Sequence, residues 1–212
     1  PAVYVVADGL GGHAAGEVAS RMVVAAVHDM ANEGQEIDTA SLQSAILRAN
    51  QQVLNASVRN ASYEGMGSTA TVLHIDESAG IAYYAHVGDS RLYLLRQGIF
   101  RQVSRDHSYV EELVARGELS EEEAQHHPRK NLLLRAVGIE ERLHVDGDTF
   151  PLAAGDRLLL ATDGLTNMVN DDELAALLGG SFADVAERMV ERALAGGGSD
   201  NITAIALAYD PS

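Results

Sequence analysis

Cysteine is absent from this chain of 212 residues, which excludes thiol nucleophiles, disulfides and cysteine-ligated zinc. Positive charge is scarce as well. Fifteen basic residues stand against 31 acidic ones, a formal net charge of -16, and Lys130 is the single lysine. A field of that sign opposes unaided contact with nucleic acid or anionic lipid, so neither is expected as a partner. No apolar run reaches the 18 residues of a membrane span and none has the form of a signal peptide, so a soluble, cytoplasmic protein is expected. Gly-x-Ser-x-Gly does not occur, which leaves Ser68 and Ser199 without a nucleophile-elbow setting and disfavours a serine hydrolase. Gly196-Gly197-Gly198 precedes a strand-like run, not a helix, and is no dinucleotide site.

What is present is a core. A hydrophobic content of 46% with 22% charged residues suits one globular domain over residues 1–212. Residues 2–7 read as a buried strand closed by Asp8-Gly9-Leu10-Gly11-Gly12. Apolar residues at helical spacing predict helices over 14–31 and 39–60, each with a stripe that packs on a sheet. The period then shortens, predicting strands over 68–75, 81–87, 91–95 and 99–103 as one antiparallel meander. Residues 104–138 are polar, with short helices over 109–116 and 120–125, and read as a flap over the sheet; Ser120 and Glu123 have capping-box spacing. Strands over 145–150 and 157–161, helices over 171–178 and 182–195, and a strand over 202–207 complete the chain. Ser181 and Asp184 are expected to cap the last helix. This order suits α+β layers better than a parallel βαβ sheet.

The most informative pattern is an apolar run ending in Asp-Gly, found at Val5-Val6-Ala7-Asp8-Gly9 and again at Leu158-Leu159-Leu160-Ala161-Thr162-Asp163-Gly164. Gly198-Ser199-Asp200-Asn201 puts a third carboxylate directly before a β-rich run. Carboxylates gathered at the rim of a core repel one another and lose hydration unless a cation binds them. Without cysteine, hard oxygen ligands point to Mg²⁺ or Mn²⁺, and the Gly9 carbonyl is a further candidate ligand. The competing reading is three ordinary turns, since Asp-Gly is a common turn pair. Asp89 is either a turn residue paired with Arg91 or a metal ligand. His126 and His127 read as solvent-facing, and the other histidines lack metal-ligand spacing.

Together, Val5-Val6-Ala7-Asp8-Gly9-Leu10-Gly11-Gly12-His13, Gly67-Ser68-Thr69-Ala70, His86-Val87-Gly88-Asp89-Ser90-Arg91, Ala161-Thr162-Asp163-Gly164-Leu165 and Ser199-Asp200-Asn201-Ile202-Thr203 resemble the metal-dependent Ser/Thr protein phosphatases, the PPM or type 2C family, and its compact bacterial members most. The resemblance implies a sandwich of two antiparallel sheets flanked by helix pairs, in α-β-β-α layers, with a flap. It implies hydrolysis of phosphoserine and phosphothreonine in proteins by a metal-bridged hydroxide, with two or three Mn²⁺ or Mg²⁺ ions. Asp8 would bridge two metals, Gly9 would offer its carbonyl, Asp163 and Asp200 would bind one ion, and Asp89 with Asp163 a weaker third. Asn201 would brace its loop. The implied partners are phosphorylated proteins, a Ser/Thr kinase and its substrates among them, and the protein is expected to be a monomer.

Two departures stand out. Family members begin with a further strand carrying a phosphate-gripping arginine and then an acidic segment, whereas this sequence starts just before the Asp8 strand. A fragment with weakened catalysis is the expectation. Leu10 occupies the place of a histidine proposed as general acid in eukaryotic relatives; His13 either donates a proton or braces the turn. Two alternatives stay open: a non-catalytic phosphoprotein-binding or regulatory domain of the same fold, and a phosphohydrolase for small molecules.

Overall fold

The computed structural model describes residues 2–211, and within them the side chain of His13 lies outside the described part. Strand β1 (Ala2–Val6) is followed by the short β2 (Gly9–Leu10) and two long helices, α1 (His13–Asn32) and α2 (Thr39–Arg59). Helix α2 starts at Asp38 because a capping box closes there: Asp38 accepts from the Ser41 N–H and Ser41 Oγ from the Asp38 N–H, both at 2.8 Å. Strands β3 (Gly67–Ser68), β4 (Ala70–Asp76), β5 (Ile81–Val87), β6 (Arg91–Arg96) and β7 (Ile99–Gln102) come next. Two short helices follow, α3 (Tyr109–Ala115) and α4 (Glu121–His126), the second with the expected Ser120–Glu123 capping box. The last part runs β8 (Asp146–Pro151), β9 (Asp156–Ala161), α5 (Asp163–Thr166), α6 (Asp171–Gly179), α7 (Val185–Ala195) and β10 (Ala204–Tyr209).

The strands form two four-stranded antiparallel sheets, ordered β1-β4-β5-β8 and β10-β9-β6-β7, and β2 pairs with β3 as a separate ribbon. Alternation along each strand divides its side chains between two cores. Leu92, Leu94, Leu158 and Leu160 meet Val6, Leu73, Ile75 and Ala82 between the sheets. Their neighbours Tyr93, Leu95, Leu159 and Ala161 face α6 and α7 through Leu174, Leu178, Met189 and Ala193. On the far side Ala70, Val72, Ala85 and Val87 meet α1 and α2 at Val23, Val27, Leu42, Ile46 and Val53. Strands buried on both faces need unbroken apolar runs, which is why Leu158-Leu159-Leu160-Ala161 shows no polar alternation. The result is the expected α-β-β-α layering.

Four local expectations are corrected. The single meander is divided: β4 and β5 lie in one sheet, β6 and β7 in the other, and the chain crosses between them at Gly88-Asp89-Ser90. The strand expected over 68–75 breaks at Thr69, whose amide and hydroxyl serve Asp8 instead of the ladder. Ser181 does not cap α7, which starts at Val185 after Asp184 in a left-handed conformation (φ 56°) with no side-chain cap bond. The final strand begins two residues later than expected, because Thr203 binds Thr162: the Thr162 N–H donates to the Thr203 carbonyl and the Thr203 N–H to Thr162 Oγ1, each at 3.0 Å.

Candidate metal centre

Asp8 leaves the end of β1, Asp163 opens α5 directly after β9, and Asp200 precedes β10. Since β1 lies against β9 and β10 across the sandwich, the three strand ends meet at one rim. One carboxylate oxygen from each aspartate lies within 4.8 Å of the other two. Backbone contacts hold these positions. The Asp8 N–H donates to Thr69 Oγ1 and the Thr69 N–H to the Asp8 carbonyl, both at 2.9 Å. Gly164 allows the Asp163 and Asp200 loops to touch, since a Cβ there would stand 2.0 Å from the Asn201 carbonyl oxygen. Asn201 thus contributes through its main chain.

Electrostatics follow from this crowding. Burial, then contact with Asp163 and the charges of Asp163, Asp200 and Asp89, pushes the Asp8 carboxyl up to about 8. Asp163 is raised as well, by burial first and by Asp200. Asp163 Oδ1 is buried with no hydrogen-bond partner. Two ionised carboxylates offer only acceptors to each other, so this atom needs a proton or a cation. The residues therefore fit a hard divalent ion: carboxylate oxygens in a group, one of them orphaned, among side chains that burial makes costly to ionise.

Asp89 lies outside the group of three. It sits on the crossover between β5 and β6, is 9% exposed, and is pushed up to about 7 by burial and then by the charge of Asp163. The pairing with Arg91 that the turn reading called for does not form. Arg91 instead makes a two-pronged bond to Asp106, Nε to Oδ1 at 3.0 Å and Nη2 to Oδ2 at 2.8 Å. Gly9 follows Asp8 in β2, where a Cβ would stand 2.1 Å from the Gly16 carbonyl oxygen. The ribbon's packing against α1 thus already demands glycine there, whatever the carbonyl does. The side chain of His13, named as a proton donor or brace, is outside the described part. His126 is exposed at the end of α4, whereas His127, expected to face solvent, is half-buried with its ring 5.8 Å from that of Tyr109; neither belongs to the carboxylate group.

Sequence reasoning missed the supporting residues Thr69, Thr162, Thr203 and His107. The threonines were visible inside the quoted motifs, but their role depends on pairing across 61 and 41 positions. His107 carried no signal of spacing.

Comparison with known proteins places the chain in a family. The family model described as protein phosphatase 2C matches residues 1–204. The serine/threonine phosphatase stp of Listeria monocytogenes is 40% identical over 215 residues, covering 98% of this chain and 84% of its own. The protein phosphatase PhpP of Streptococcus pneumoniae is 38% identical over 207 residues, with 95% and 83% covered. Among solved structures, the serine/threonine phosphatase PstP of Mycobacterium tuberculosis superimposes with a TM-score of 0.91 at 36% identity, covering 98% of this chain and 88% of that one. A structure of the PstP catalytic domain in complex with two manganese ions gives 0.88, also at 36% identity, with the same coverage. The chain belongs to the protein phosphatase 2C family.

Proposed function

We propose that the chain is a metal-dependent protein-serine/threonine phosphatase, with Asp8, Asp163 and Asp200 holding divalent cations, the Gly9 carbonyl adding a ligand and Asp89 serving a further ion with Asp163. The observation that carries this reading is the orphaned Asp163 Oδ1 inside a group of three converging carboxylates. Bound Mn²⁺ or Mg²⁺ supplies a water of lowered pKa as nucleophile and positive charge to offset that growing on the phosphoryl oxygens. The chain's own residues do the rest. Burial and mutual repulsion make Asp8 and Asp163 costly to ionise together, a cost that a bound cation would offset. Thr69, Thr162 and Thr203 hold the three loops at a fixed spacing, so little reorganisation remains when substrate arrives.

Residues 104–138 are proposed to act as a flap over this rim, within a single catalytic domain spanning the chain. The reading is supported by Asn131, whose Oδ1 lies 3.4 Å from Asn167 Nδ2, which in turn lies 3.4 Å from Asp163 Oδ2. Leu132 and Leu134 stay exposed beside it, offering apolar surface to a protein substrate. The partners proposed are phosphorylated proteins, a Ser/Thr kinase and its substrates among them, met in the cytoplasm by a monomer. Among the described residues no helix is long and apolar enough to cross a membrane.

Phosphate release from a phosphothreonine peptide, measured with Mn²⁺ and with EDTA, tests the proposal. Turnover with Mn²⁺, its loss in EDTA and in Asp163→Asn, and slower hydrolysis of nucleotides support it. Peptide binding without turnover at saturating Mn²⁺ would instead favour the non-catalytic phosphoprotein-binding reading.

A further inference from the structure

Asp89 is carried by a turn that has little structure of its own. Gly88 has φ +107°, and a Cβ on it would stand 2.7 Å from Thr69 Cγ2, so the turn is pressed against Thr69 and only glycine fits. A hydrogen-bonded partner 19 residues away grips it. The His107 N–H donates to the Gly88 carbonyl at 2.8 Å, and the Gly88 N–H donates back to His107 Nδ1 at 3.1 Å. This is the two-bond pattern of an antiparallel pair with a ring nitrogen in place of a carbonyl. Both polar groups of the residue preceding Asp89 are therefore taken by one partner.

The rest of His107 is equally committed. With Nδ1 accepting, the ring proton sits on Nε2 and is donated to Asp146 Oδ2 at 2.8 Å. Asp146 Oδ1 receives Arg135 Nη1 at 3.1 Å, and the same nitrogen lies 3.3 Å from His107 Nε2, so two donors converge on one carboxylate. The His107 carbonyl accepts the Leu134 N–H at 2.8 Å. His107 is 6% exposed. A continuous hydrogen-bonded path thus runs from residues 134–135 through His107 to Gly88 and the next residue, Asp89.

We propose that His107 is a positioning residue for Asp89: its Nδ1 and backbone N–H set the Gly88–Asp89 turn, Nε2 locks the ring to Asp146, and the aim of the Asp89 carboxylate depends on both. The functional consequence rests on the proposed role of Asp89 as a metal ligand. The positioning itself does not.

Asparagine and glutamine separate the two ends of the ring. In His107→Asn the side-chain oxygen takes the place of Nδ1 and still accepts the Gly88 N–H; in His107→Gln the amide nitrogen takes the place of Nε2 and reaches Asp146 only. Hydrogen exchange of the Gly88 amide in metal-free protein is read first. An increase of about tenfold in His107→Gln, with His107→Asn near wild type, is expected for the loss of one buried hydrogen bond. Equal exchange in the two variants would overturn the proposal. Nitrogen-15 spectra of wild-type His107 give a check that needs no variant: the Nε2–H tautomer is expected, and the Nδ1–H tautomer would overturn it. Mn²⁺ titration followed by electron paramagnetic resonance then tests the consequence. Affinity at the weakest site should fall severalfold in His107→Gln, and His107→Gln should cause no further loss once Asp89→Ala is in place. If Asp89→Ala alone leaves Mn²⁺ binding unchanged, the ligand role of Asp89 is what fails, while the Gly88 exchange rates still decide the positioning.

Discussion

Replacing Asp163 by asparagine should stabilise the metal-free protein and destabilise the metal-loaded one. Carboxylate oxygens within 4.8 Å of each other repel by roughly 3 kcal/mol per pair at an effective dielectric constant of about 20. The repulsion is least screened between Asp8 and Asp163, since Asp200 is exposed, so the metal-free site sheds charge by holding a proton, and Asp8 is pushed up to about 8. The Asp163→Asn substitution would remove the Asp8–Asp163 and Asp163–Asp200 repulsions and add an N–H that Asp8 can accept. The proton already relieves part of the strain in wild type, so the net gain at pH 8 is on the order of 1–2 kcal/mol. For a chain of this size that raises Tm by about 2–8 °C. With Mn²⁺ at a hundred times Kd, wild type gains about 2.7 kcal/mol from ligand linkage and the variant loses that term, which reverses the order.

The pH dependence has a definite sign. Asp8 has its folded pKa raised from 3.8, so folding takes up a proton; the resulting stability is complete below about 4 and is lost as pH rises through about 8. In EDTA the wild-type Tm should therefore fall between pH 6 and pH 9, and the Asp163→Asn curve should be flatter. Thermal melts followed by circular dichroism, in EDTA and in Mn²⁺ at both pH values, make the measurement. If Asp163→Asn melts below wild type in EDTA by as much as it does in Mn²⁺, the side chain is a structural support and not an uncompensated charge.

Two further outcomes follow from other parts of the fold. His86 is completely buried between Thr71 Oγ1 and the Arg105 carbonyl, near His107, and burial followed by the charge of His107 pushes it down to about 4. The unfolded chain then binds the extra proton between about pH 6.5 and 4, so the contribution is full above 6.5 and is lost as pH falls, by about 3 kcal/mol at most. In metal-free protein, urea midpoints over that window should drop more steeply for wild type than for His86→Gln, and parallel curves would refute the assignment. Gly164→Ala places a methyl group against the Asn201 carbonyl and should cost about 1–3 kcal/mol while parting the Asp163 and Asp200 loops. Isothermal titration should show Mn²⁺ affinity reduced by at least about tenfold; unchanged affinity would show that the loops are held by something else.

Much of the fold was legible because local pattern and tertiary demand coincide. The long helices, with Val23, Val27, Leu42 and Ile46 on their stripes, bury the side chains that periodicity selects. Asp8, Asp163 and Asp200 stood out because an acidic residue at the end of an apolar run is costly at a core rim without a cation. Less legible were the places where a residue answers to a distant partner. Thr69 interrupts a β pattern to bind Asp8, and Ile202 and Thr203 leave the final strand because Thr203 binds Thr162. Arg91 has an acidic neighbour two positions away in Asp89, yet it pairs with Asp106 fifteen positions on, where bidentate geometry is available.

From its residues alone the chain determines its layers and its stock of hard anionic ligands, since burial of alternating apolar side chains and the repulsion of carboxylates are short-range facts carried by composition and spacing. Only the tertiary structure decides that the chain passes from one sheet to the other at Gly88-Asp89-Ser90, that β1 lies against β9 and β10 so that three aspartates from three strand ends meet, and that His107 grips the Asp89 turn. Those outcomes depend on how folded layers abut, and contact between residues far apart in the chain leaves no periodic trace in the order of amino acids.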